Sequence, residues 1–226
     1  MSKDITQLLN EEKHDFESLI SIMEILRGPD GCPWDMVQNH KSIRKCLIEE
    51  TYEVVEAIDN SDSDLLREEL GDLIFQAVFH AKIEEELNNF NIYDVVNDIC
   101  KKMLNRHPHV FGNKSVETAE EVSFNWDEIK IREHKQANII DSVKKVPPSL
   151  PALIKAQKVH NKANKNLGVG FANKEEALNF AREAMSSSIS DAVFALAAAA
   201  DFDGEDLEMN LTNTINSFIE YCEENN

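Results

Sequence analysis

At 226 residues and 25.7 kDa, the chain is long enough for one large domain or two small ones around a sizeable buried core. With 42 acidic against 23 basic residues, its net charge is −19, which disfavours nucleic acid and anionic membrane surfaces as partners. Only 7 Gly and 6 Pro over this length argue for long helices rather than many short strands.

Apolar residues at Phe16, Leu19, Ile20, Met23 and Leu26 predict a helix over 15–27. The GPDGCPWD stretch (28–35) breaks it, and a second helix is expected from about Lys41 to Asp59. Asn60 to Asp64 reads as a connection, with Ser63 or Asp64 as the cap of a third helix over 65–86. A fourth over 91–105 ends at RHPHVFG (106–112), where Pro108 cannot continue a helix and Gly112 suits a turn. Glu117 to His134, containing Trp126, reads as helical, and Pro147, Pro148 and Pro151 mark a linker or bend. Helical patterns follow at 152–165, 174–186, 188–201 and 205–223. No stretch alternates like a strand, so the expected fold class is all-α. The longest apolar run, Ala192 to Ala200, falls far short of the roughly 20 residues that cross a bilayer. The polar first sixteen residues carry no signal-peptide core, and Cys32, Cys46, Cys100 and Cys222 are scattered. Both features predict reduced thiols and a cytoplasmic location.

The second half faintly echoes the first. EELGDLIFQAVFHA (68–81) aligns with SSISDAVFALAAAA (187–200), matching Asp72 to Asp191 and Phe75 to Phe194. From aromatic to aspartate the first half spans 38 residues (Trp34 to Asp72) and the second 20 (Phe171 to Asp191), so the second resembles a shortened copy.

The chemistry lies in LIEETYEVVEAI (47–58) and EELGD (68–72). On a helix, Glu49, Glu50, Glu53 and Glu56 share one face, and like charges at these spacings repel. The other face, with Leu47, Ile48, Val54, Val55 and Ile58, is expected to pack into a core. The third helix is apolar on most sides and therefore expected to be buried, with one polar stripe of Glu69, Asp72, Gln76 and His80. Buried charge must be paired or ligated. Arg67 is the lone Lys or Arg between Lys45 and Lys82, so a hard divalent cation with oxygen ligands, Mg²⁺ or Mn²⁺, is the economical counter-charge.

Glu49-Glu50-x-x-Glu53, a 15-residue gap and Glu69-x-x-Asp72 resemble the EExxE…ExxD signature of all-α nucleoside triphosphate pyrophosphohydrolases. CPWD (32–35), Gln38, His40, RHPHVF (106–111), WDEIK (126–130) and SLPAL (149–153) resemble the MazG branch in particular. The resemblance implies a tightly dimerising helical bundle of two tandem modules. These are expected to be a polar tail (1–16), a pyrophosphohydrolase module (17–146) and a shortened second module (147–226). It also implies Mg²⁺ on Glu50, Glu53, Glu69 and Asp72, with Glu49 and Glu53 in the catalytic role and Glu49 beside the metal–water network. Lys102 and Arg106, one helical turn apart, would bind the triphosphate, with Trp126 and Lys130 near the nucleotide. The implied reaction is hydrolysis at the α–β phosphoanhydride to monophosphate and pyrophosphate.

The second module departs from this pattern. Glu175-Glu176 is followed by Asn179, Ser188 stands at the position of Glu69, and Asp191 alone remains of E-x-x-D, so this module is expected to be inactive. Two other readings stay open: a narrower dUTP or dCTP pyrophosphatase, and a decayed nucleotide-binding or scaffold protein. His107, His109 and Cys32 lack zinc spacing, and the lone E-x-x-H, Glu11 to His14, argues against a di-iron bundle. Trp34 is expected to be a packing aromatic.

Overall fold

The computed structural model describes residues 3–113, 115, 116, 118, 121, 122, 129 and 143–224, and every regular element among them is helical. The chain divides into two compact units, Met1–Trp126 and Asp127–Asn226. The division falls ahead of the expected linker at 147–151, and the stretch between the two lies almost wholly outside the described residues. So do Trp126 and Lys130 and most of the helix expected over 117–134.

In the first unit α1 spans Ile5–Asn10 and α2 Phe16–Leu26. The residues expected to form a polar tail thus contain a helix. Asp4 and Gln7 form its capping box, Leu8 is buried, and the Lys3 ammonium bonds Glu11 and Asp15. The short α3, Pro33–Val37, holds most of CPWD and begins with its proline. Then come α4, Arg44–Asp59, and α5, Ser63–Glu86, packed as a hairpin. The cap of α5 is Asp62 rather than Ser63 or Asp64: its Oδ1 accepts from the amides of Asp64 and Leu65. Helix α6, Ile92–Arg106, ends as expected where His107 and Pro108 interrupt it, and Pro108–Phe111 forms the single turn α7. The core is Ile20, Met23, Ile43, Val78, Phe79, Ala81, Ile83 and Ile92, from α2, the start of α4, the second half of α5 and the start of α6.

Burial along the α4–α5 hairpin differs from the expectation. On α4 it is Ala57 that is buried, whereas Ile48 and Ile58 are half exposed. On α5 the second half enters the core, but Leu70 and Ile74 are 42% and 47% exposed while Glu69 and Gln76 are buried. In the first half of α5 large apolar side chains are thus open, while of the polar stripe Glu69 and Gln76 are buried, His80 is half-buried and Asp72 is exposed.

The second unit holds α8 (Ala152–Leu167), α9 (Lys174–Ala184), α10 (Ile189–Phe202) and α11 (Leu207–Glu224). Helices α9 and α10 form its hairpin around Ala177, Ala198 and Ala199, with Phe171 and Leu178 against them. Alanines let the two backbones approach closely, at the cost of little apolar area per residue. His160 on α8 is buried among Phe171, Phe194 and Phe202 and accepts the Phe171 amide at Nε2. Gly170 makes this possible: its φ is +119°, and a Cβ there would lie 2.9 Å from the imidazole. No helix among the described residues is long and apolar enough to cross a membrane.

Candidate metal centre

The antiparallel hairpin brings the middle of α4 against the first half of α5. Carboxylate oxygens of Glu50, Glu69 and Asp72 lie within 4.8 Å of one another. Glu53, exposed on α4, is near enough for its charge to act on both Glu50 and Glu69. Three of the four residues named for metal binding thus converge.

Its electrostatics are those of like charges held together. Burial, then the hydrogen bond shared with Glu53, then the charges of Asp72, Glu53 and Glu69 push the Glu50 carboxyl above its ordinary range. Burial leads again at Glu69, followed by the charges of Glu53, Asp72 and Glu68. Neighbouring cations are engaged elsewhere: Lys45 binds Glu49 at 2.7 Å, and Arg67 binds Asp64 at 3.2 Å. No ion pair to the four carboxylates occurs among the described residues. Carboxylates alone, acceptor-only and mutually repelling, fit a hard cation such as Mg²⁺ or Mn²⁺.

The remaining expected residues lie elsewhere on α4 and on α6. Glu49 points to solvent and Lys45, one turn back on α4, rather than into it. Lys102 is exposed and Arg106 half-buried on the last turns of α6. His107 bonds the Met103 carbonyl at 2.7 Å, which accounts for it as part of the helix end. Trp34 is 59% exposed, not packed, because α3 turns it away from the core.

Sequence reasoning missed how the CPWD arm is fastened. Arg27, its side chain almost fully buried, bonds both carboxylate oxygens of Glu86, donates to the carbonyls of Asp35 and Gln38, and lies 5.2 Å from the centre of the Phe79 ring. Gly31 lets the arm fold back, since a Cβ there would meet the Ile25 and Leu26 carbonyls. The arm delivers His40 onto α5: its Nε2 is 2.6 Å from Glu84 and its Nδ1 2.7 Å from Nδ1 of His80. The polar stripe on α5 was the available signal, but nothing in the sequence paired His80 with His40.

Comparison with known proteins agrees with this geometry. The MazG nucleotide pyrophosphohydrolase domain matches residues 38–111, which include the whole carboxylate set. The nucleoside triphosphate pyrophosphohydrolase/pyrophosphatase MazG of Thermotoga maritima is 36% identical over 219 residues, covering 91% of this chain and 83% of that protein. The nucleoside triphosphate pyrophosphohydrolase of Escherichia coli K12 is 42% identical over 159 residues, 70% of this chain and 59% of that protein. The uncharacterized protein YabN of Bacillus subtilis is 46% identical over 156 residues, 67% of this chain; the match spans only 31% of YabN. With the domain match centred on the carboxylate hairpin and a MazG relative matched over most of both lengths, this chain belongs to the MazG family.

Proposed function

We propose that the first unit hydrolyses nucleoside triphosphates at the α–β phosphoanhydride to nucleoside monophosphate and pyrophosphate, with Mg²⁺, or Mn²⁺, on Glu50, Glu53, Glu69 and Asp72. The observation that carries this reading is the convergence of Glu50, Glu69 and Asp72 on one point without a cation among the described residues. The names of the Thermotoga and Escherichia relatives supply the reaction class. A divalent cation there supplies charge neutralisation at phosphoryl oxygens and makes water a competent nucleophile near neutral pH.

The chain's own groups do the rest. Water oxygen bonds to the α-phosphorus, the bond from that phosphorus to the α–β bridging oxygen breaks, and that oxygen leaves with pyrophosphate. Glu53, within reach of both Glu50 and Glu69, accepts a proton from that water. Glu49, beside Glu50 in the chain, would orient the water network only after leaving Lys45 and turning towards the cluster. Lys102 and Arg106 hold the leaving pyrophosphate through charge-assisted hydrogen bonds. By the family resemblance Trp126 and Lys130, outside the described residues, would serve the base and a phosphate.

The same reading makes the protein a homodimer of the cytoplasm. Leu70 and Ile74 on α5, with Ile48 and Tyr52 on α4, expose large side chains on the hairpin that carries the carboxylates, and a second copy of this face would cover them. The second unit then serves packing rather than turnover.

Product analysis tests the reaction. ³¹P NMR of each nucleoside triphosphate with the protein and Mg²⁺ is expected to show monophosphate and pyrophosphate, abolished by EDTA. Diphosphate and orthophosphate as products would contradict the assigned bond, and no turnover of any triphosphate would favour the decayed binding protein.

A further inference from the structure

His40 and His80 meet at the open end of the carboxylate hairpin. Residues 60–62 join α4 to α5 at the closed end, whereas at the other end α4 begins at Arg44 with no side-chain cap from Ile43. There the CPWD arm, which runs on into α4, is held to α5 by two imidazoles. Nδ1 of His40 lies 2.7 Å from Nδ1 of His80, with the rings 11° from parallel. Nε2 of His40 lies 2.6 Å from Glu84, which also accepts from Asn89. Nε2 of His80 is buried without a partner.

A contact between two Nδ1 atoms is a hydrogen bond only when one carries a hydrogen and the other a lone pair. With both rings neutral, Glu84 accepts from Nε2 of His40, so Nδ1 of His40 holds the lone pair and His80 donates. With one proton added, His40 is the cation and donates to Glu84 from one nitrogen and to His80 from the other. Both states keep the contact. A second proton sets two N–H groups and two positive charges against each other at 2.7 Å. It also makes His80 a cation whose buried Nε2–H has no acceptor.

No carboxylate among the described residues acts on His80 to offset that charge. Burial, and then the charge of His40, hold His80 below its usual pKa. The charged groups on the surrounding elements are engaged elsewhere. Glu84 faces His40, Arg27 at the end of α2 binds Glu86, and Lys82 pairs with Glu85 on α5. Lys45 of α4 pairs with Glu49, and the Tyr93 hydroxyl of α6 donates to Glu17.

We propose that the His40–His80 pair is a proton-operated latch on the open end of the hairpin, closed with one or no positive charge on the two rings and released by the second. Release frees the end of the arm and the first turn of α4, the helix that carries Glu50 and Glu53.

Amide hydrogen exchange reads the latch directly. The amides of Ser42 and Ile43 donate to the Asn39 carbonyl, and that of Leu47 to the Ile43 carbonyl. In the unaltered protein their protection, corrected for intrinsic exchange, is expected to fall by at least about threefold from pH 7 to pH 5, with a limit of about tenfold per pH unit for one proton taken up on opening. Leu66, whose amide donates to the Asp62 carbonyl at the closed end, is expected to keep its protection. His80→Phe and His40→Gln each leave a single imidazole, and the dependence on pH is expected to vanish in both. A fall of less than about threefold at Ser42, Ile43 and Leu47 in the unaltered protein overturns the proposal. So does an equal fall at Leu66, which would report unfolding of the whole unit, or a dependence on pH retained in either variant. Where neither variant folds, the unaltered protein decides alone.

Discussion

The two units build the same helical hairpin and spend its polar residues differently. In α4–α5 four carboxylates face one another across the hairpin, and three converge within 4.8 Å. In α9–α10 the corresponding positions go to local structure. Ser188, which stands for Glu69, caps α10 by accepting the Asp191 amide. Glu176 accepts the Ala172 amide, and Asn179, which stands for a glutamate, accepts from Arg182. Among the described residues no comparable carboxylate group forms there. The difference begins with helix length. Helix α5 starts at Ser63, so Glu69 and Asp72 lie beyond its first turn with their backbone amides free of capping duty. Helix α10 starts at Ile189, so Asp191 lies in the first turn, where a carboxylate stabilises the helix end. In the shorter second hairpin, Ser188 and Asp191, which align in sequence with Glu69 and Asp72, fall at the start of a helix.

The sharpest way to break this comparison is to neutralise each hairpin in turn. Asp72→Asn is expected to lower kcat/KM for a triphosphate by about 10³-fold or more, as for groups that stabilise transition-state charge. Asp191→Asn is expected to leave it within about twofold. Steady-state kinetics of the two variants reads the contrast, and equal losses would show that the second unit shares the chemistry.

The proposed dimer gives the next largest expected effect. Ile74→Glu places a charge on the open apolar face of α5 and is expected to weaken self-association by about 10²-fold or more, since a buried charge needs a partner. Sedimentation velocity across a concentration series checks this. An Ile74→Glu protein as dimeric as the parent would place the contact elsewhere.

A smaller effect concerns pH and metal together. Glu50 and Glu69 have raised folded-state pKa values, so the metal-free fold binds their protons more tightly than the unfolded chain does. Their contribution to stability is full below the ordinary glutamate pKa of about 4.3 and is lost as pH rises through the raised values. A divalent cation bound as proposed would replace those protons, so the rise in Tm on adding Mg²⁺ should grow with pH above that point. Scanning calorimetry with and without Mg²⁺ measures the increment, and one independent of pH would detach the metal from these groups.

The smallest expected effect belongs to the second unit. Burial holds His160 below its usual pKa, against a weaker opposing pull from Asp201. The unfolded chain therefore binds this proton first, and the stability of the second unit is expected to fall as pH drops below about 6.5. Hydrogen exchange of the α8 and α10 amides at pH 7 and pH 5 would show the loss, and identical protection at both would refute it.

Much of this architecture was legible in the sequence because it rests on periodic pattern. The starts and ends of α2, α5 and α6 follow from apolar spacing, Pro108 and acidic or amide caps. The carboxylate cluster was legible because repulsive charges at helical spacing, with few cations nearby, have few stable outcomes. Burial was less legible. Leu70 and Ile74 look like core residues, yet a single chain leaves them open, since periodicity reports which face is apolar and not what covers it. Long-range fastening was not legible at all. Arg27 is separated from Glu86 by 59 residues and His40 from His80 by 40, and no local spacing announces such pairs.

The most direct test of the central claim is to locate the metal. Titration of Mn²⁺ into the protein, read by calorimetry or by electron paramagnetic resonance, compares the unaltered chain with Glu50→Gln/Asp72→Asn and with Glu176→Gln/Asp191→Asn. Binding is expected to be lost in the first double variant and kept in the second. Binding kept in the first and lost in the second would contradict it, and would move the active centre to the hairpin assigned here to packing.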